Sequence, residues 1–123
     1  MIKFNVKTMK PLLKEFLTYH MWANQQLTSC ILALDPGEWT KPVTSSFPSL
    51  YKTLLHMWDA DSPWWQRMEG AVTIKVPSQY FQENTPELVR WLLLQNEEWL
   101  ARVSQLDEVA LGESFSYTNL KGD

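Results

Sequence analysis

Leu13, Phe16, His20, Ala23, Leu27, Ile31 and Leu34 recur at steps of three and four residues. That spacing brings side chains to one face of a helix with about 3.6 residues per turn. It predicts a first helix over 8–34. Asp35-Pro36-Gly37 ends it, because proline disfavours helical backbone in the residue before it and glycine permits a tight turn. A loop is expected over 38–48, anchored by Trp39 and Phe47. Ser49 is a natural N-cap for a second helix, its hydroxyl accepting an early backbone N–H. On a helical wheel Leu50, Tyr51, Leu54, Leu55, Met57, Trp58, Trp64, Trp65 and Met68 fill one broad arc. Asp61 falls inside the arc and His56 outside it. Pro63 removes one helical hydrogen bond and crowds the carbonyl of Asp59. A kink or short break is therefore expected near Asp61-Ser62, with Ser62 as a second N-cap.

Residues 70–84 read as a connection; the β-like run Ala71 to Val76 is too short to stand alone and ends in Pro77. Thr85-Pro86-Glu87 has the cap, first-turn proline and early acid of a helix start. Leu88, Leu92, Trp99, Val103 and Leu106 give this third helix its stripe. Residues 113–119 alternate weakly, as one short strand or an extended tail. The fold class predicted is all-α: a single domain over 1–123, an up-down helical bundle with three helices visible.

Composition narrows the function. The net charge is −3 and the basic residues are scattered, so the phosphate-neutralising patch of a nucleic-acid binder is missing. No stretch approaches the ~20 apolar residues of a membrane span. A single cysteine, Cys30, forms no internal disulfide and fits a reducing compartment. The start of the chain lacks the apolar core of a signal peptide. These features predict a soluble, cytoplasmic protein. Seven tryptophans serve either a ring-rich core or interface, or a pocket for an apolar or planar ligand.

Tyr19-His20-Met21-Trp22-Ala23-Asn24, then Ser45-Ser46-Phe47-Pro48-Ser49-Leu50 leading to Thr53-Leu54-Leu55-His56, then the interval from His56 through the tryptophans to Gly70, and finally Tyr117-Thr118-Asn119 with Gly122 occur in an order that resembles the DinB-like four-helix-bundle family. That damage-inducible group includes thiol-dependent transferases. The resemblance covers nearly the whole chain. It implies a divalent metal, zinc or nickel, held by one histidine of the second helix and two ligands of the fourth, commonly a His-x-x-x-His pair. Carried over residue by residue, only His56 has a counterpart; the sequence stops before a fourth helix. Either these residues belong to a longer product, or a second copy covers the open faces.

His56 is thus the one candidate metal ligand, though a surface or groove histidine is the plainer reading. His20 is expected buried and hydrogen-bonded. Asp61 would cap the Pro63 break or orient a histidine. Asp59 would be solvated or approach His56, and Cys30 would be inert core. Two functions remain open. One is a metal-dependent enzyme of thiol-transferase or hydrolase type, acting on a small thiol or apolar substrate, with Trp58, Trp64 and Trp65 as an apolar wall. The other is a non-enzymatic, dimerising helical module.

Overall fold

The computed structural model describes residues 6–114, 116–117 and 119–121. Three long helices dominate: α1 (Val6–Leu32), α3 (Leu50–Met68) and α4 (Thr85–Gln105). Short helices α2 (Pro36–Thr40) and α5 (Glu108–Leu111) and a 3-10 turn (Pro77–Gln79) lie between and after them. Among the described residues there is no strand, so the all-α bundle predicted from periodicity is the fold. None of these helices is long and apolar enough to cross a membrane.

The central element is α4. Both α1 and α3 pack on it far more than on each other, while α2 and the 3-10 turn rest on α3 and α5 rests on α1. The core follows this arrangement. Leu54 of α3 and Leu88 and Leu92 of α4 are wholly buried, and Ile31, Tyr51, Leu55, Trp58 and Val89 close around them. Each such leucine contributes about 2 kcal/mol from removing apolar surface from water.

Local chemistry sets the helix boundaries. The Ser49 hydroxyl accepts from Lys52 N–H at 3.1 Å, as its place before α3 predicts. At α4 the cap is Asn84 rather than Thr85, its Oδ1 accepting from Glu87 N–H at 3.0 Å; Thr85 is the first helical residue. The Asp35-Pro36-Gly37 stop does not open a plain loop. Pro36 sits at the first helical position of α2, where its fixed φ favours a helix and its missing N–H costs nothing.

Pro63 does not break α3. The helix runs unbroken through it, with Ser62 and Pro63 both buried. The Ser62 hydroxyl caps nothing; it accepts from Gln66 Nε2 at 3.0 Å. Packing on both residues holds the helical course despite the lost bond.

The buried side of α1 is also rotated from the predicted stripe. Asn24, Thr28 and Ile31 face inward, whereas Phe16, Leu27 and Leu34 are exposed. Cys30, expected in the core, is exposed as well. The cause is polar complementarity. Asn24 Nδ2 donates to Asn96 Oδ1 of α4 at 2.8 Å, and Asn96 Nδ2 donates to the Leu92 carbonyl at 2.9 Å. Thr28 Oγ1 donates back to the Asn24 carbonyl at 2.7 Å. Satisfied carboxamides can be buried at little cost, so an apolar count alone misplaces this face. The alternating stretch at 113–119 includes 115 and 118, which lie outside the described residues.

Candidate metal ligand and the polar contact between α1 and α3

The loop before α3 has one evident task, which is to place Phe47. Val43 N–H donates to the Pro48 carbonyl at 2.9 Å and closes the loop. The Ser45 hydroxyl donates to the Phe47 carbonyl and accepts from Phe47 N–H. The Phe47 ring then stacks on His56, centroids 4.2 Å apart and planes 24° apart. His56 is exposed and begins a row of exposed positions on α3, continued by Ala60 and Trp64. Neither of its ring nitrogens has a hydrogen-bond partner among the described residues. The stack restricts the ring while its nitrogens stay available. The sequence marks Phe47 only as a loop anchor; the Ser-x-Phe turn just ahead of Ser49 is the signal for its position.

A histidine that ligates a metal ordinarily directs its other nitrogen to a carboxylate or carbonyl. Asp59, one turn along, does not serve. Its Oδ1 accepts from Ser78 N–H at 2.8 Å and ties the 3-10 turn to α3. Among the described residues no three His, Cys, Asp or Glu side chains lie close enough to share a metal ion. The described donor set therefore fits one ligand of such a centre, not a closed one.

His20 and Asp61 do meet. His20 Nε2 lies 3.9 Å from Asp61 Oδ2, with the two side chains 39% and 31% exposed. It also lies 3.3 Å from Asn24 Nδ2, and the Phe16 ring stacks over it. His20 is thus half-buried rather than fully buried. The contact bridges α1 and α3, the two long helices that otherwise touch least, and continues through Asn24 to Asn96 on α4. Desolvation raises the Asp61 pKa, and the neighbouring His20 partly counters it. Asp61 therefore faces a histidine across the bundle instead of capping a break.

The three tryptophans expected to form one wall are dispersed. Trp58 stacks parallel to Trp91 and meets Tyr80 and Phe81 edge-on. Trp65 meets Trp99, and Trp64 meets Tyr117. A ring-rich core is the better description of Trp58, whereas Trp65 is partly buried outside that core.

Compared with known proteins, the chain matches the model of the DinB family over residues 5–116. No curated protein and no solved structure matches it.

Proposed function

Because this chain belongs to the DinB family, we propose that it is a metal-dependent enzyme of thiol-transferase or hydrolase type in which His56 is one metal ligand. The supporting observation is the exposed imidazole itself, held by the Phe47 ring with both nitrogens open among the described residues, at the position the family resemblance gives to a ligand. The remaining ligands come from outside the described residues, whether from further chain or from a second copy. When bound, a zinc or nickel ion would supply a lowered pKa for a coordinated thiol or water. The chain's own part is to bind through His56, to orient that ring through Phe47, and to offer the exposed Trp64 as apolar surface for a small thiol or apolar substrate. Metal content measured by plasma mass spectrometry tests this. The wild-type protein should carry about one zinc or nickel per chain, and His56→Ala should lose most of it with unchanged helical circular dichroism. Equal metal in both proteins ends the proposal.

A second reading, a non-enzymatic dimerising module, is favoured by a separate observation. Leu12, Phe16 and Tyr19 of α1 are 61%, 63% and 64% exposed. With Ala23 they follow the four-three-four spacing of a coiled-coil seam. Three such side chains in one row form a contiguous apolar strip that a second copy could cover. A protein that sediments as a monomer and carries metal would decide for the enzyme; a metal-free dimer would decide for the module.

A further inference from the structure

Arg67, near the C-terminal end of α3, lies between two rings. Its guanidinium carbon is 4.7 Å from the Trp64 ring centroid and 4.9 Å from that of Tyr117, and the two rings meet edge-on at 4.9 Å. No carboxylate pairs with it among the described residues. Glu69, the nearest acid in sequence, is engaged by Arg102 at 3.3 Å. Arg67 Nε is buried without a hydrogen-bond partner among the described residues. A cation partly stripped of water and left without a counter-charge is costly, and two rings compensate only part of that cost.

The same guanidinium lines a cleft of about 360 Å³, within the size range of small-molecule sites. Gly70, with φ at +82°, turns the chain back after α3; the half-buried Ile74 forms the apolar side of the cleft and Val72 stands fully exposed at its rim. The returning segment is fixed. Gln66 donates through Nε2 to the Lys75 carbonyl at 2.8 Å and accepts at Oε1 from Lys75 N–H at 2.8 Å. The cleft wall is thus tied to the helix that carries the arginine.

We infer that this cleft binds a small organic carboxylate, its anionic end on Arg67 and its apolar body against Ile74 and the Tyr117 ring, beneath Val72 at the rim. The planar guanidinium fork matches a carboxylate in geometry as well as charge, and an apolar wall beside it selects an organic acid over an inorganic anion. The site shares the Trp64 ring with the proposed function but does not depend on His56 or on a metal.

The test is a titration with benzoate followed by amide and indole N–H chemical shifts, alongside its neutral analogue benzyl alcohol and inorganic phosphate. Saturable shifts at the Trp64 indole and at Gly70, Val72 and Ile74 are expected with benzoate. Benzyl alcohol and phosphate should bind at least tenfold more weakly. Arg67→Gln should weaken benzoate at least tenfold, and Val72→Trp, which keeps the cation but fills the exposed cleft, should do the same. Absence of saturation with benzoate, equal binding of the neutral analogue, preference for phosphate, or affinity unchanged in both variants would each overturn the inference; the ligand comparison on the wild-type protein needs no variant to fold.

Discussion

Asp61 joins the electrostatics of this bundle to its stability. Burial raises its pKa, and His20 only partly opposes the shift. A carboxyl group with a folded-state pKa above its unfolded value holds its proton more tightly when folded. Its favourable contribution is complete below the unfolded pKa and is lost as pH rises through the raised folded one. An asparagine at this position would resemble the protonated acid at every pH. Asp61→Asn should therefore match the wild-type melting temperature near about pH 4 and exceed it increasingly toward about pH 7. An offset that stays flat or shrinks with rising pH, measured by thermal circular dichroism, would show that the His20 contact outweighs the desolvation. The sequence placed Asp61 within an apolar arc, and hence marked it as needing a partner. It did not reveal which partner, because that depends on how α1 and α3 are arranged about α4.

The start of α3 and the course of α1 show how far local rules reach among the elements. Ser49 was legible because an N-cap depends only on a hydroxyl three residues from an unsatisfied N–H. Ser49→Ala should cost about 1 kcal/mol in chemical denaturation; a change below about a third of that would mean water replaces the hydroxyl. The long helices were legible from their periodicity, and His56 was correctly placed off the buried arc of α3. What failed had non-local causes. The inward side of α1 is set by Asn96, far along the chain, which makes Asn24 a better inward residue than Leu27. Pro63 stays helical because it is buried, a condition no breaker rule contains. The stacking of Phe47 on His56 needed a loop conformation that composition alone does not specify. Arg67 was not legible because its meaning lies in having no carboxylate partner among the described residues, which only a folded chain reveals.

At the scale of the whole molecule, α1 has two faces of different character, a largely polar one buried by hydrogen bonding and an apolar one left open. One side of α1 is closed by α4; the adjoining row of Leu12, Phe16 and Tyr19 is open. If that row joins two copies, a charge placed in its middle should separate them. Phe16→Glu should convert a dimer into a monomer in analytical ultracentrifugation while leaving the melting temperature within a few degrees, since the residue is already largely in water. A dimer that survives Phe16→Glu would move the interface off α1, and a wild-type monomer would remove the dimerising reading altogether.

The place of α4 has a further consequence during synthesis. About fifty residues separate the end of α1 at Leu32 from the first turn of α4 at Thr85. At ~5–20 residues per second, a ribosome leaves the nascent first helix without its main support for roughly 3–10 s. Through that interval the unpaired carboxamide of Asn24 and the greasy row of Leu12, Phe16 and Tyr19 are both bare, so α1 is the segment on which a chaperone that waits at the exit tunnel would most readily settle.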